Sequence, residues 1–168
     1  MRISMVVLAA SVMVAPALAQ QPAGQGAGQA MKLFASSADV AALQARAKSE
    51  RKEGQALVSL PILQLAPYNA SLEYRTAVAN AAVHEKEAEM FIVLDGAATI
   101  VTGGKLAGES RTNAENLTGK GIEGGTSRKI AKGDFIMVPE NTPHWFSAID
   151  GTITLMSLHL PHAQTGTR

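Results

Sequence analysis

From residue 55 onward the chain consists of short apolar or alternating runs, and this succession restricts the possible folds more than any other feature. The runs are ALVSLPILQL (56–65), SLEYRTAV (71–78), EMFIVL (89–94), AATIV (97–101), SRKIA (127–131), DFIMVP (134–139), HWFSAI (144–149) and TITLMSLHL (152–160). Turn-forming residues such as Lys132-Gly133-Asp134 and Asp150-Gly151 separate them. Many short strands at this spacing are typical of antiparallel sandwiches and barrels, so the sequence predicts an all-β domain.

The dipeptide Asp95-Gly96, between two apolar runs, is the strongest turn signal in the chain. Because Asp-Gly supplies the positive φ values of a type I′ turn, it predicts a two-residue β-hairpin. Residues 103–126 are rich in glycine and polar residues, and they predict a long surface loop. Such a loop can be a lid or binding element, but it can equally be a tolerated insertion.

Residues 36–54 predict one amphipathic helix before the strands begin. Ser37 is suited to the N-cap, and Asp39 in the first turn complements the helix dipole. The apolar stripe consists of Val40, Leu43 and Ala47. Gly54 is suited to ending the helix. The polar face is only weakly basic and contains no Trp, so we expect the helix to pack on the domain or on a partner subunit rather than on a membrane.

The N-terminal residues 1–19 have the pattern of a signal peptide. Arg2 precedes a short apolar run that ends at Ala17-Leu18-Ala19, a small-x-small site that a signal peptidase accepts. The run is too short to span a bilayer, which takes about 20 apolar residues, although an uncleaved anchor is the alternative. The sequence therefore predicts a periplasmic or secreted protein without stable membrane insertion after cleavage. A flexible spacer (20–35) follows, and residues 163–168 form a tail.

The composition excludes several classes of function. The chain has 168 residues, of which 46% are hydrophobic and 17% charged, which fits one globular domain rather than a disordered chain. With 15 Lys and Arg against 14 Asp and Glu, it lacks the basic excess that nucleic-acid binding requires. Because it has no Cys, disulfides, thiolate zinc sites and iron–sulfur clusters are excluded. Any chemistry must therefore come from His, carboxylate or hydroxyl groups.

Two short patches contain the residues best suited to a metal site. In the first (82–89), His84 precedes Glu89 by five positions, and in the second (133–146) His144 lies beside a predicted strand. Two neutral imidazoles and one carboxylate bind Fe(II), Mn(II), Zn(II) or Ni(II) and leave positions open for a substrate or water. The alternative is that each His is an ordinary polar group of a β-domain.

The first patch resembles the first motif of the cupin superfamily, G-x5-H-x-H-x(3,4)-E-x6-G. His84, Glu89 and Gly96 match its second His, its Glu and its final Gly. Ala82 stands where the family has its first His. That position cannot coordinate a metal, so three of the four usual ligands remain.

The second patch resembles the second cupin motif, G-x5-P-x-G-x2-H-x3-N. Gly133, Pro139 and His144 match at the correct spacing. Asn141 stands at the family Gly, and Asn also tolerates left-handed backbone conformations; Ala148 stands at the terminal Asn. The resemblance covers residues 55–162 and implies a cupin-type antiparallel jelly-roll β-barrel, with the amphipathic helix preceding it.

The resemblance implies two main functions. One is a metal-dependent oxygenase, isomerase or lyase, in which a divalent ion (Fe, Mn, Zn or Ni) at His84, Glu89 and His144 acts on a small molecule held in the barrel. The other is a metal-free periplasmic module that binds or senses a small molecule without catalysis, which Ala82 favours. A third is a structural subunit that oligomerises through the helix and first strand, since cupins commonly form homodimers. The catalytic residues and the substrate stay undetermined.

Two further polar residues have open roles. His159 shares the face of Ile153, Leu155 and Ser157 on the last predicted strand, so it is a fourth ligand or an acid–base group if that face points inward. It is a solvent-facing His if it does not. Arg75 either binds a substrate carboxylate bidentately or lies at an exposed strand edge. Of Trp145 and Phe146, one is expected in the core and the other at the rim of the barrel.

Overall fold

The computed structural model describes residues 31–162. The predicted signal peptide (1–19), the first part of the predicted spacer (20–30) and the tail (163–168) lie outside that range. Within it, one helix precedes a series of strands. The elements are α1 (Ser37–Glu50), β1 (Leu57–Leu65), β2 (Tyr68–Arg75), β3 (Ala81–His84), β4 (Glu87–Thr102), β5 (Lys105–Ala107), β6 (Ser110–Arg111), β7 (Asn116–Gly119), β8 (Gly121–Glu123), β9 (Thr126–Ala131), β10 (Phe135–Val138) and β11 (His144–Pro161).

The strands pair antiparallel throughout the described residues, as the sequence predicts for an all-β domain. In the main sheet, the order is β1-β2-β11-β3-β7-β6, and β4 pairs with β11, β9 and β10. A separate two-stranded sheet joins β5 to β8. Among the described residues, no helix is both long and apolar enough to cross a membrane.

The two longest strands, β4 and β11, pair along their whole length. Glu87 at the start of β4 lies opposite Pro161, and Thr102 at its end lies opposite His144. The register shifts at three places near the middle of this ladder, between Phe146 and Leu155 on β11. Each such bulge bends a strand and increases its twist. The ladder is therefore bent in its middle, which is decisive for the site described below.

The predicted hairpin at Asp95-Gly96 is wrong, because β4 continues through both residues. Gly96 does adopt a positive φ of 81°, but it uses this conformation at a bulge of the ladder. A Cβ on Gly96 would lie 2.1 Å from the carbonyl oxygen of Thr152, so the two strands approach too closely for a side chain. Asp150-Gly151, another turn signal, likewise lies inside β11 and not between strands. Positive φ is common to type I′ turns and to bulges, so the dipeptides alone do not distinguish them.

The predicted loop at 103–126 is also wrong, because this segment contains β5, β6, β7 and β8. The strand β7 pairs with β3 on one side and with β6 on the other. These strands carry few large apolar side chains, so the segment lacks the alternation by which a half-buried strand is recognised. Their pairing with distant residues, rather than their own pattern, determines their structure.

The helix α1 packs on β1 and β2 of this chain, as predicted for a helix that is not a membrane anchor. Its N-cap is Ser36 and not Ser37: the Ser36 hydroxyl accepts a hydrogen bond from the Asp39 amide, and the Asp39 carboxylate accepts one from the Ser36 amide. The helix ends at Glu50, with Arg51 as C-cap, before it reaches Gly54. The reciprocal capping box satisfies two otherwise unpaired amides, which explains the shift by one residue.

Two apolar cores result. The core beneath α1 contains Ala47, Val58, Leu60, Ile62, Ala70 and Leu72. The core on the other side of the sheet contains Phe91, Val93, Ala98, Ile100, Ile130, Ile136, Val138, Phe146, Ile153 and Leu155. The chain is attached to the sheet before the helix begins, because Lys32 forms a bridge with Gln64 of β1 through two backbone hydrogen bonds of 2.9 Å.

Candidate metal centre

Glu89 lies at the centre of a cluster of histidines. It is the third residue of β4, pairs with Val138 of β10 and with His159 of β11, and is only 3% exposed. Its Oε2 lies 3.3 Å from His84 Nε2 and 3.1 Å from His144 Nε2. The structure thus brings the three residues selected from the sequence into one cluster, and their role as metal ligands stays a prediction.

His159 joins the same cluster, on the inward side that the sequence left open. Its Nε2 lies 3.5 Å from Glu89 Oε1, and its ring centroid lies 4.8 Å from that of His84. The potential ligand atoms of His84, Glu89 and His159 all lie within 4.8 Å of one another, a spacing at which they could hold a metal ion. The solvent-facing alternative for His159 is therefore wrong.

The bent ladder explains how two histidines of one strand reach one carboxylate. His144 and His159 are 15 positions apart on β11, and an extended strand of that length spans roughly 50 Å. Both imidazoles nevertheless lie against Glu89. The bulges in the middle of the ladder bring its two ends together, so Gly96, which was predicted to form a hairpin turn, contributes instead to building the site.

Each imidazole of the cluster has an oxygen acceptor at its Nδ1. His84 Nδ1 faces the amide oxygen of Asn116 on β7, His159 Nδ1 lies 2.9 Å from Glu87 Oε2, and His144 Nδ1 lies 3.3 Å from the carbonyl oxygen of Thr142. These oxygens only accept hydrogen bonds, so each Nδ1 donates its proton. In the neutral imidazole the lone pair is then on Nε2, which points at Glu89. Metal-ligating histidines characteristically donate their other N–H in this way.

A serine holds the second carboxylate oxygen of Glu89. The Ser157 hydroxyl, on β11 and 1% exposed, donates a hydrogen bond to Glu89 Oε1. Burial by itself raises the pKa of Glu89, but the hydrogen bonds that His144 and His84 donate from Nε2 when they are protonated lower it by more, so this pKa lies well below its ordinary value of 4.5. Glu89 therefore carries a buried negative charge.

The opposite shift occurs at His84. Burial lowers the pKa of His84, but its hydrogen bonds to Glu89 and Asn116 and the negative charge of Glu89 raise it by more. The net result is a pKa above the ordinary value of 6.5. A cation at this position is therefore favoured, whether it is a proton on His84 or a metal ion.

The second motif lies against the first through Asn141. This residue has a φ of 54°, the left-handed conformation anticipated for an Asn at the family Gly position. Its amide donates a 2.7 Å hydrogen bond to the carbonyl oxygen of His84. Ala82, at the position of the missing His, lies opposite His144 in the register of β3 and β11. It is thus beside the cluster but offers no ligand atom.

Arg75 and the two aromatic residues lie elsewhere on the strands. Because β2 pairs with both β1 and β11, Arg75 is not at a sheet edge, and the exposed-edge alternative is wrong. Its guanidinium donates two hydrogen bonds to Glu73 Oε2, of 2.9 and 2.7 Å, and stacks 4.4 Å from the Phe146 ring. Phe146 is buried in the core, whereas Trp145 is half-buried and its indole N–H donates to the Ala79 carbonyl.

Sequence reasoning did not identify the residues that orient the cluster. Asn116, Glu87 and Ser157 each bond to a residue that is at least 32 positions away in the chain. Of the three, only Ser157 could be anticipated from the sequence, because it shares its strand face with His159. Asn116 had none, because it lies in the segment predicted to be a loop.

No protein-family model matches the sequence, and no curated protein matches it. The fold resembles that of the Fe(II) form of HppE, with a TM-score of 0.50 and 16% identity, over 66% of this chain and 54% of that one. KdgF from Halomonas sp. gives a TM-score of 0.49 with 16% identity, over 68% and 86% of the two chains. A cupin superfamily protein from Desulfitobacterium hafniense gives 0.48 with 17% identity, over 67% and 83%.

At these identities the likenesses concern the fold alone. This chain also spans only about half the length of HppE. The antiparallel sheet and the likeness of its fold to that of HppE agree with the antiparallel jelly-roll fold that the two motifs predict.

Proposed function

We propose that this protein binds a divalent metal ion through His84, Glu89 and His144, and that it binds or transforms a small molecule at that ion. The observation that carries the proposal is the arrangement around Glu89. Imidazole nitrogens converge on one buried carboxylate, and every Nδ1 is already held by an oxygen. The neutral imidazoles direct lone pairs at a negative charge, which is unfavourable unless a cation lies between them.

The donor set fits a divalent transition metal. Imidazole and carboxylate ligands suit Fe, Mn, Zn or Ni, and a set of this size leaves coordination positions open. Once bound, such an ion would supply Lewis-acid or redox chemistry to a substrate oxygen. The chain's own contribution is to keep Glu89 ionised, to hold the imidazoles in one tautomer, and to exclude water from the buried side of the site.

The test is elemental analysis of the mature protein purified without an affinity-tag metal column, together with His144→Ala and His162→Ala. His162 is the matched control, since it also pairs with a glutamate, Glu140, but 63% of its side chain is exposed. We expect about one metal ion per chain in the wild type and in the His162 variant, and loss of it in the His144 variant. A wild type that remains metal-free after dialysis against each of the four ions would contradict the proposal.

A metal-free binding module is the second candidate, and one observation favours it. Within residues 31–162, every buried side-chain nitrogen or oxygen has a hydrogen-bond partner. A protonated His84 beside ionised Glu89 can therefore satisfy the cluster without a metal. If the protein stays folded, takes up no ion, and still binds a small molecule in a ligand screen followed by calorimetry, this second function is the correct one.

We further propose that the protein is exported, on the basis of the 1–19 segment. Cleavage after Ala19 removes Arg2, which leaves 14 basic residues (15 − 1) against 14 acidic residues. The intact mass of the mature protein after expression in a bacterial host with a periplasm tests this. We expect a periplasmic protein that begins at Gln20, and an unprocessed cytoplasmic chain would contradict export.

A further inference from the structure

We infer that His159 is a fourth metal ligand that takes the place of the imidazole missing at Ala82, and that Glu87 is its positioning residue. The inference rests on the proposed metal site and specifies how this chain completes it. His159 lies outside both sequence motifs, and Glu87 stands at a position that the first motif leaves unspecified.

On β3, Ala82 stands where a second imidazole would face the cluster. Ala82 and His84 are two positions apart, so both side chains lie on the same face of the strand. The backbone register places Ala82 opposite His144, a member of the cluster. A His at position 82 would therefore face the site. The methyl group of Ala82 offers no ligand atom on that side.

His159 approaches the cluster from β11, the last strand. His159 lies directly opposite Glu89 in the β4–β11 register, which directs both side chains to the same face. Its Nε2 is 3.5 Å from Glu89 Oε1, and only 22% of its side chain is exposed. Its ring also meets the His84 ring edge-on. An imidazole thus reaches the cluster from β11 where none is available from β3.

The carboxylate of Glu87 contacts the Nδ1 side of the His159 ring. Glu87 is two positions before Glu89 on β4, so it shares the inward face, and its Oε2 accepts the proton of His159 Nδ1 at 2.9 Å. This pairing leaves the lone pair of the neutral ring on Nε2 and makes the ring a stronger donor to a metal. The same contact occurs between His162 and Glu140 at an exposed surface position, so a His–Glu pair by itself does not make a ligand, and the burial of His159 against Glu89 distinguishes the two.

The experiment titrates the metal-free mature protein with Zn²⁺ against a chelator of known affinity. It also counts the imidazoles bound to one equivalent of Cu²⁺ by electron spin-echo spectroscopy. The variants are His159→Ala, the double variant Ala82→His with His159→Ala, Glu87→Gln, and the controls His162→Ala and Glu140→Gln. We expect His159→Ala to weaken Zn²⁺ binding by at least ~100-fold and to remove one imidazole from the count. Glu87→Gln should weaken Zn²⁺ binding by ~10-fold and leave the number of bound imidazoles unchanged. This is the effect expected for a residue that hydrogen-bonds to a metal ligand without binding the metal itself.

The double variant is the decisive measurement. If His159 replaces the missing imidazole, Ala82→His should restore the count and bring the affinity back to within ~10-fold of the wild type. If His159→Ala loses Zn²⁺ affinity and the double variant does not regain it, His159 does not replace the imidazole missing at position 82. A His159→Ala variant that binds Zn²⁺ as tightly as the wild type does would also contradict the inference. His159→Gln, which keeps most of the volume of the ring, serves if the Ala variant does not fold. A wild type that binds no Zn²⁺ contradicts the proposed function itself, a result distinct from normal binding by the His159 variants.

Discussion

At the scale of single residues, the orientation of Glu89 depends on one hydroxyl. Ser157 holds Glu89 Oε1, which leaves Oε2 toward His84 and His144. Both Ser157 and the carboxylate are almost fully buried. Without the hydroxyl, the carboxylate would lose a hydrogen bond that water cannot readily replace, because the site is closed on that side.

We therefore expect Ser157→Ala to weaken metal binding by ~10-fold or more and to lower the free energy of unfolding of the metal-free protein by about 1–3 kcal/mol. Chelator competition and urea unfolding measure the two effects. Ser110→Ala, at an exposed position on β6, is the control and should change neither. An unchanged metal affinity in Ser157→Ala would show that the hydroxyl does not orient the carboxylate.

The residue scale is also where the sequence was most informative about the site. His84, Glu89 and His144 were selected by their spacing in two motifs, and the structure brings them together. Asn141 was expected to tolerate the left-handed conformation, and it does. Their partners Asn116 and Glu87 could not be selected, because a hydrogen bond between distant residues leaves no local pattern.

At the scale of elements, the bend in the β4–β11 ladder is the feature on which the site depends. Two glycines at this bend have positive φ but different surroundings. A Cβ on Gly96 would collide with the Thr152 carbonyl, whereas a Cβ on Gly151 would meet nothing within 4 Å. This difference makes the two positions a matched pair.

We expect Gly151→Ala to lower the free energy of unfolding by about 1–2 kcal/mol, the penalty for placing a side chain in a left-handed conformation. Gly96→Ala should cost more, since the strands must also separate. It should weaken metal binding as well, because the bend brings His144 and His159 to Glu89. Urea unfolding and Zn²⁺ affinity test this. Equal effects of the two substitutions would show that the close approach at Gly96 has no energetic consequence.

The capping of α1 gives a second prediction at this scale. Ser36→Ala removes the side chain that accepts from the Asp39 amide, and it should destabilise the protein by about 1 kcal/mol. Ser37→Ala, one residue later inside the helix, should be neutral, because alanine is the better helix former. Thermal unfolding of the two variants measures the difference. A larger loss in Ser37→Ala would identify Ser37 as the N-cap after all.

At the scale of the whole molecule, the cluster joins β3, β4 and both ends of β11. A ligand that binds there stabilises the folded state, by about 2.7 kcal/mol when its concentration is 100 times its dissociation constant. Protons compete for the same nitrogens, since a metal binds only the neutral imidazole. Folding stability and metal affinity should therefore both depend on pH, through the protonation of Glu89 and His84.

The direction of the pH dependence follows from the two pKa shifts. The raised pKa of His84 stabilises the metal-free protein fully below pH 6.5, and this contribution is lost as the pH rises through the folded-state pKa. The lowered pKa of Glu89 stabilises it above pH 4.5, and this contribution is lost as the pH falls through the folded-state value.

Between pH 6.5 and 8.5, we therefore expect the melting temperature to fall in EDTA. With Zn²⁺, the stabilisation relative to EDTA should grow over the same interval. His84→Gln should flatten the EDTA curve, whereas His162→Gln should not. Parallel curves with and without Zn²⁺ would contradict the linkage.

The sequence by itself determined the antiparallel β-architecture, the helix before it, and the residues that two local motifs bring near strand ends. These follow from periodicity and spacing over a few residues, which are properties of the sequence. Only the tertiary structure decided that Asp95-Gly96 lies in a bend and not a hairpin, that residues 103–126 form strands, and that His159 reaches Glu89. Each of these depends on which distant strand pairs with the segment. Strand pairing is determined by burial and register across the whole sheet, and not by the local sequence.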